Sequence, residues 1–377
     1  DPDFKSRLYE DFLKESISQK NWGQFFTPRN IVKAIVEMSN IEKLSDGAKV
    51  HDPACGVGGF ILEPILTKRQ RDYSFTGGSL DCELDYTGHD RDKKTVILGK
   101  ANMLIHLNEL IRVNKGSPQQ FAKLFNNTIK SYHDSILGSL SHTPENEYDL
   151  IMTNPPFVVT GTSKIKQFIE ESGELRNYYK VNATGVEGLF LEKIIRSLKP
   201  GGHAFVIVPD GILNRTNDSK IRSFIKEECF IEAVISLPEK AFYTTPKKTY
   251  ILSLKKKADS SVEQEDPVFT YLVSKTGETL DAKRFEDENH LPEMVRLYKY
   301  FQADKNNFES GTLRCKTWDI DSFRPDTHWS VDRWWDHDDR VELGVEEARN
   351  FTTIEEFKSQ LEEEKLNLEV AVDQLQQ

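Results

Sequence analysis

The chain has 377 residues, of which 50 are Lys or Arg and 61 are Asp or Glu, so its formal net charge is −11. This acidity argues against a protein that coats nucleic acid or an anionic membrane through bulk charge. The hydrophobic fraction of 37%, together with 21 glycines, brings the apolar content close to that of a globular protein rather than a disordered one. No apolar run approaches the roughly 18 residues that span a bilayer, and the four cysteines form no CxxC pair. We therefore predict no membrane span and no cysteine zinc site, and we expect a reducing cytosol.

The first predicted elements lie on either side of a short turn. Residues 4–22 place apolar side chains among charged neighbours and are predicted to form a helix. The turn at 23–28 ends in Thr27, a good N-cap residue, followed by Pro28, a good first helical residue. Together they predict a helix over 28–39.

Hydrophobic strands then alternate with helices along the chain. A short apolar strand ends at 51, a glycine-rich turn follows at 52–59, and a helix is predicted from Phe60. Further strands are predicted at 86–89, 148–152, 204–208, 232–237 and 249–255, with helices at 93–109 and 187–198. This alternation indicates an α/β fold whose mostly parallel sheet is covered on both faces.

The most informative motif is Asn154-Pro155-Pro156-Phe157, which directly follows a hydrophobic strand. Two consecutive prolines cannot continue a central strand, so they predict a rigid turn at the carboxyl end of the sheet, where open α/β folds bind ligands. There the Asn154 side chain and the Pro155 carbonyl can both accept hydrogens from one amine, and Phe157 offers a stacking face. Such a group suits a planar conjugated amine.

A second motif, the turn from Asp52 to Gly59, has glycines at 56, 58 and 59 that let a ligand approach the backbone. It matches neither the GxGxxG fingerprint nor a phosphate-binding loop, and its acidic Asp52 suits a cationic ligand such as a sulfonium. Downstream, Asp90 follows the next predicted strand, where a carboxylate can hold ribose hydroxyls.

These motifs occur together and in an order that resembles the adenine-N6 DNA methyltransferases, most closely the modification subunits of type I restriction-modification systems. The resemblance covers roughly residues 8–280. It rests on Gly23-Gln24-Phe25-Phe26-Thr27-Pro28, Asp52-Pro53-Ala54-Cys55-Gly56-Val57-Gly58-Gly59, Gly88-His89-Asp90, Asp134-Ser135-Ile136 and Asn154-Pro155-Pro156-Phe157.

The resemblance implies a fold, a cofactor and a division into regions. The fold would be the Rossmann-like fold of S-adenosylmethionine-dependent methyltransferases, an α/β fold with a mostly parallel, doubly wound sheet. A helical N-terminal segment at 1–22, the remnant of a larger domain, would precede a catalytic domain at 23–285. The polar, aromatic-containing region at 286–350 has no predicted architecture. Residues 351–377 are predicted to form a C-terminal helix, since their apolar residues fit a short heptad seam.

By the same resemblance, S-adenosylmethionine lies across the strand ends. Phe26, Thr27 and Pro28 would contact its methionine end, Asp90 would take the ribose hydroxyls, and the segment at 134–135 would bind its adenine. The residues expected to bind the cofactor are Phe26, Thr27, Pro28, Asp52, Ala54, Gly56, Gly58, Gly59, Asp90, Asp134 and Ser135. No metal is expected.

The implied reaction methylates the N6 amine of an adenine that has left the DNA duplex. Asn154 and the Pro155 carbonyl would accept the two amine hydrogens, Pro156 would hold the turn rigid and Phe157 would stack on the base. Phe242 is a candidate for a second stacking face and Lys248 for a contact with DNA phosphate.

The resemblance also implies partners in a prokaryotic cytoplasm. These are double-stranded DNA, a specificity subunit contacted through 351–377, a second copy of the chain and a restriction-translocase subunit. Other readings stay open. They are methylation of cytosine or of a protein glutamine, a free-standing or fused adenine methyltransferase, and a non-catalytic assembly subunit that keeps the fold.

Overall fold

The computed structural model describes residues 27–68, 72–76, 79–157, 162–242, 246–280 and 284–346, together with 358–359, 361–362 and 365. The chain divides into two compact units, residues 1–334 and 335–377. The first contains a nine-stranded sheet and two small two-stranded sheets. The strands are β1 Lys49–Asp52, β2 Tyr73–Thr76, β3 Ser79–Cys82, β4 Asp85–Asp90, β5 Ile129–Ser131, β6 Tyr148–Thr153, β7 Leu198–Pro209, β8 Cys229–Ser236, β9 Thr249–Lys256, β10 Val268–Leu272, β11 Thr276–Glu278, β12 Glu286–Asn289 and β13 Cys315–Trp318.

The helices of the first unit connect these strands, and the described part of the second unit contains one more, α12. They are α1 Arg29–Met38, α2 Gly59–Thr67, α3 Lys93–His106, α4 Asn108–Val113, α5 Pro118–Thr128, α6 Thr162–Glu171, α7 Gly173–Tyr178, α8 Val186–Ser197, α9 Asp210–Asn214, α10 Ser219–Glu228, α11 Leu291–Ala303 and α12 His337–Glu342. Across the described residues, no helix is long and apolar enough to cross a membrane.

The large sheet has the strand order β13-β10-β8-β9-β7-β6-β1-β4-β5. The strands β5, β4, β1, β6 and β7 run parallel to one another, whereas β9 runs antiparallel to both β7 and β8. From β1 the chain builds outward through β4 to β5 and then returns to place β6 on the other side of β1. The strand order therefore reverses between β1 and β6, which is the place where open α/β sheets bind ligands.

The central strands are buried on both faces, and this explains their composition. In β8 all residues but one are buried, as are the last six residues of β7. A parallel strand covered by helices on both sides needs an almost continuous apolar run rather than an alternating pattern. For this reason the strands predicted at 148–152, 232–237 and 249–255 are confirmed to within about three residues of their predicted ends. The strand predicted at 204–208 is confirmed as well, but β7 begins earlier, at Leu198, directly after α8.

The start of α1 differs from the prediction. Thr27 does not cap this helix; Pro28 occupies the N-cap position, and no side chain caps the helix there. The reason is tertiary, because the Thr27 hydroxyl accepts a hydrogen bond from the Asn154 side chain instead. The predicted helix at 4–22 lies outside the described residues.

The region after 285 adds to the same sheet. Strand β13 pairs antiparallel with β10 at the sheet edge. The helix α11 carries Lys299, whose ammonium lies 3.0 Å from the Glu37 carboxylate of α1. In this region Trp318, Phe323, Trp329 and Trp334 pack together, with the ring of Phe323 in edge contact with Trp329 and Trp334. Residues 286–334 thus belong to the first compact unit.

Candidate active site at the switch point of the sheet

Two of the motifs singled out from the sequence, the turn from Asp52 to Gly59 and Asn154 with the residues after it, meet where the strand order reverses. Strand β1 ends at Asp52 and continues into the glycine turn, while the neighbouring strand β6 ends at Thr153 and continues into Asn154. Because β1 and β6 are parallel neighbours, the two turns emerge at the same edge of the sheet. The sheet topology therefore brings two motifs about 100 residues apart in sequence into one pocket.

Asp52 is buried, and hydrogen bonds hold its carboxylate in place. Its Oδ1 accepts a hydrogen bond from the Thr153 hydroxyl at 2.6 Å and another from the Ala54 backbone N–H at 3.0 Å. Burial raises the pKa of the Asp52 carboxyl to about 7, although these two hydrogen bonds act in the opposite direction. The pocket thus contains an acid that can change its charge near neutral pH.

The glycine turn is fixed to strand β4 by backbone contacts. The Cys55 N–H donates to the His89 carbonyl at 2.9 Å, and the Gly56 N–H donates to the Asp90 carboxylate at 3.0 Å. Gly58 precedes α2 with a φ of +86°, a left-handed conformation that disfavours residues with a side chain. These contacts hold the turn in one shape beside the pocket.

Asn154 is buried and only half satisfied. Its Nδ2 donates to the Thr27 hydroxyl at 3.0 Å. Within the described part of the chain, its Oδ1 is buried and accepts no hydrogen bond. A buried amide oxygen without a donor is costly, typically by about 1–3 kcal/mol. It is therefore a ready acceptor for a ligand N–H.

The pocket is lined by polar groups of these turns and by three helices. Its walls are formed by Thr27, Arg29, Val32, Asp52, Ala54, Cys55, Gly56, Val57, Gly59, Phe60, Leu62, Glu63, Leu66, Asn102, His106 and Asn154. Five of the residues predicted to bind the cofactor are among them, namely Thr27, Asp52, Ala54, Gly56 and Gly59.

The other predicted cofactor residues lie elsewhere. Asp90 is engaged through both carboxylate oxygens, by the Gly56 N–H and by the Asp92 N–H at 2.8 Å. The Asp134 side chain is 93% exposed and pairs with His133, and the Ser135 hydroxyl accepts from the Leu137 N–H. Pro28 and Gly58 begin the helices that flank the pocket, and Phe26 lies outside the described residues.

The predicted substrate residues are not gathered at one surface. The Phe157 ring is 5% exposed and Phe242 is 2% exposed, and both belong to the hydrophobic core. Pro155 is buried and Pro156 half-buried. The Lys248 ammonium lies 3.9 Å from the Asp332 carboxylate and 5.7 Å from the centre of the Tyr250 ring. These placements leave their roles toward a substrate as predictions.

Four polar pocket residues were not found by reasoning from the sequence. Arg29 and Glu63 face the pocket from α1 and α2, and Asn102 and His106 face it from α3. One signal was present in the sequence, since Glu63 is the only charged residue between 59 and 67 in an otherwise apolar helix. A charge on an apolar helix usually needs a partner or a ligand.

Groups of acidic, histidine or cysteine side chains that could hold a metal ion are not present among the described residues. The polar side chains of the pocket include carboxylates, amides, a guanidinium and an imidazole, beside a glycine-rich backbone. Ligand binding would depend on hydrogen bonds and on the charge of Asp52.

When the chain is compared with known protein families, the model of the N-6 DNA methylase family matches residues 1–322. The type I restriction enzyme EcoEI methylase subunit of Escherichia coli is 29% identical over 237 residues, which are 62% of this chain and 42% of that protein. A solved chain of a type I restriction-modification system aligns with a TM-score of 0.62 at 18% identity, covering 100% of this chain and 71% of that chain. The type I methyltransferase subunit of Streptococcus thermophilus aligns with a TM-score of 0.57 at 18% identity, covering 80% of this chain and 58% of that chain.

The two structural alignments confirm the predicted methyltransferase fold with its mostly parallel, doubly wound sheet. The chain spans about half the length of the curated relatives it matches. The family model covers most of the sequence, including every motif on which the resemblance rested. The chain belongs to the N-6 DNA methylase family.

Proposed function

We propose that the chain transfers a methyl group from S-adenosylmethionine to the N6 amine of adenine in DNA, as the modification subunit of a type I restriction-modification complex. The observation that carries the proposal is the buried Asn154 amide, whose Oδ1 has no donor among the described residues while its Nδ2 is held by Thr27. An oriented acceptor of this kind suits an amine and gives an alkyl or carboxylate ligand no hydrogen bond.

The pocket fits the proposed cofactor in its chemistry. Asp52 offers a carboxylate to a cationic ligand, and the backbone of the glycine turn allows close approach. Asn102 contributes a second buried amide oxygen that accepts no hydrogen bond from any described residue. When bound, S-adenosylmethionine supplies an electrophilic methyl group on a sulfonium. Thr27, Asp52, Ala54, Gly56 and Gly59 would hold it.

The chain's own contribution to the reaction is to orient the amine and to exclude water. Asn154 Oδ1 and the Pro155 carbonyl accept the two amine hydrogens, which localises the nitrogen lone pair away from the ring. The buried position of Asn154 strengthens these hydrogen bonds, because the surrounding dielectric is low. No strong base is needed, since the amine proton becomes acidic only as the new bond forms.

The base has to leave the duplex to reach this pocket, because its amine is paired and stacked inside DNA. Phe157 follows the two prolines of the turn, and its ring is nearly buried in the core. Stacking on Phe157 therefore requires its face to be uncovered when a base enters. Phe242 and Lys248 remain proposed as a second stacking face and a phosphate contact.

The partner proposal comes from the names of the relatives, which are methylase subunits of type I restriction enzymes. A specificity subunit would read the DNA sequence, a second copy of this chain would flank it, and a restriction-translocase subunit would join the same complex. The helix predicted over 351–377 would contact the specificity subunit, and nearly all of that segment lies outside the described residues.

The methylated base tests the proposed function most broadly. The chain is expressed in cells that lack adenine methylation, with and without the specificity subunit, and the DNA is digested to nucleosides for mass spectrometry. We expect N6-methyldeoxyadenosine only when both subunits are present. Methylated cytosine would overturn the substrate assignment, and adenine methylation by the chain alone would favour a free-standing enzyme. Methylated glutamine in a protein digest of the same cells, with no methylated base in their DNA, would identify a protein-glutamine methyltransferase instead.

A further inference from the structure

An ion pair between Arg29 and Glu63 lines the pocket, and neither residue has a role in the reaction proposed above. Arg29, the first residue of α1, immediately follows Thr27 and Pro28, and Glu63 lies one turn into α2. The Arg29 Nε lies 3.5 Å from Glu63 Oε2, and the two side chains are 13% and 6% exposed. Both residues form pocket wall together with Asp52 and Asn154.

Packing alone does not account for this pair. Removing two charges from water is expensive, and a well-packed apolar pair at such a position is often as stable or more stable. The neighbours of Glu63 in α2 are apolar and buried, including Leu62, Pro64 and Ile65. The pair interrupts this apolar helix on the side that faces the pocket rather than in the core. Such a position is better explained by a ligand than by stability.

The charges at the pocket form a pattern. Arg29 contributes one positive charge, and Glu63 and Asp52 each contribute a negative charge when ionised. The N-terminus of α1 adds partial positive charge beside Arg29, since its first turn contains no acidic residue and no side chain caps it. A ligand that carries a carboxylate, an ammonium and a third, cationic centre would match all three.

We propose that Arg29 and Glu63 recognise the amino-acid end of the cofactor, with the Arg29 guanidinium binding the α-carboxylate and the Glu63 carboxylate binding the α-ammonium. The inference rests on the proposed function and adds the residues that read this part of the ligand. Guanidinium is suited to the role because its planar fork matches a carboxylate. In this account Asp52 faces the sulfonium and Asn154 the target amine.

The test compares two ligands that differ only in this end. S-adenosylhomocysteine carries the whole amino-acid group, whereas 5′-deoxy-5′-methylthioadenosine keeps the adenosine and the sulfur and lacks the amino acid. Binding of both to the full chain with its specificity subunit is measured by isothermal titration. We expect Arg29→Gln to weaken S-adenosylhomocysteine by about 10- to 100-fold, as a lost charged hydrogen bond does, and methylthioadenosine by less than about 2-fold.

Three further variants sharpen the test. Glu63→Gln should likewise weaken S-adenosylhomocysteine more than methylthioadenosine, because it removes the carboxylate proposed to bind the α-ammonium. Arg29→Lys keeps the charge without the fork and should lose less affinity than Arg29→Gln. Lys33→Gln removes a positive charge from the same helix at a position outside the pocket wall and should leave both affinities unchanged.

Each result distinguishes this inference from the function beneath it. Equal weakening of both ligands by Arg29→Gln would mean a structural role for the pair and would overturn the inference, as would unchanged affinity for S-adenosylhomocysteine. Retained methylthioadenosine binding shows in the same titration that the variant is folded. A wild-type complex that binds neither ligand would overturn the proposed function, and the inference with it.

Discussion

At the scale of single residues, Asp52 shows how burial sets the charge of a site. Desolvation raises the pKa of its carboxyl to about 7, while the hydrogen bonds from Thr153 and Ala54 and the nearby Asp90 carboxylate modify that shift. Below this pH the group is largely neutral, and above it the group is an anion inside the pocket. Since the folded pKa is above the unfolded one, the contribution of Asp52 to stability is lost as the pH rises through about 7.

This shift predicts how cofactor and product should differ with pH. A sulfonium beside Asp52 favours the ionised carboxylate, whereas the uncharged sulfur of S-adenosylhomocysteine does not. The affinity for S-adenosylmethionine, divided by the affinity for S-adenosylhomocysteine, should therefore rise by about 10-fold as the pH rises from 6 to 8. Isothermal titration across this range measures it.

The matched variant for this prediction is Asp52→Asn, which removes the charge and nearly keeps the shape of the side chain. In that variant the part of the pH dependence that comes from Asp52 should be absent, so the ratio should change much less between pH 6 and 8 than in the wild-type protein. A flat ratio in the wild-type protein would mean that the sulfonium does not lie beside Asp52.

At the scale of elements, the site depends on close contact between β4 and the glycine turn. A side chain at Gly88 would place its Cβ 2.9 Å from both the Cβ and the Sγ of Cys55. The hydrogen bond from the Cys55 N–H to the His89 carbonyl holds the glycine turn this close to β4. The absence of a side chain at 88 therefore sets the position of the turn against the sheet.

Gly88→Ala should destabilise the protein by about 1–3 kcal/mol, the usual cost of overpacking, and should weaken S-adenosylhomocysteine binding by displacing the turn. Urea unfolding and titration measure the two effects. Gly116→Ala is the control, because a Cβ there meets nothing within 4 Å. Combining Gly88→Ala with Cys55→Gly should cost less than the sum of the single changes. If the two losses in the free energy of unfolding simply add, the contact between residue 88 and Cys55 does not set the cost of Gly88→Ala.

The same scale shows which parts of the fold a sequence can reveal. Strand β6, which ends at Thr153 just before Asn154, was predictable because it is a mostly apolar, buried run that ends in a turn. Strand β1 is short and only partly apolar, but its last three residues are buried and it ends in the glycine turn. Strand β13 has four residues at the sheet edge and no such run, so the sequence gives no sign that it joins the sheet. The prediction that Thr27 caps α1 was wrong, because the Thr27 hydroxyl is bonded to Asn154, 127 residues away in sequence.

The pocket residues divide in the same way. Asp52 and Asn154 were predictable because residue type and position at a strand end together indicate ligand binding. The pair of Arg29 and Glu63 joins residues 34 apart on two helices, and only the packing of those helices brings them together. No local pattern in the sequence encodes such a contact.

At the scale of the whole molecule, the net charge of −11 bears on how DNA is reached. Nonspecific DNA binding comes largely from neutralising phosphates, so an acidic chain is poorly equipped to bind DNA alone. The curated relatives it matches are subunits of larger enzymes, and the chain spans about half their length. The proposed function therefore assigns delivery of DNA to a partner subunit and leaves this chain a local contact around the Asn154 pocket.

The measurement that tests the central claim most directly is methyl transfer by an Asn154→Ala complex. Wild type, Asn154→Ala and the exposed-site control Asn217→Ala are each assayed with the specificity subunit, labelled S-adenosylmethionine and unmethylated DNA, and S-adenosylhomocysteine binding is measured in parallel. We predict N6-methyladenine from wild type and control, at least about 100-fold slower transfer by Asn154→Ala, and cofactor-product affinity within about 3-fold in all three. Transfer by Asn154→Ala at the wild-type rate would contradict the account.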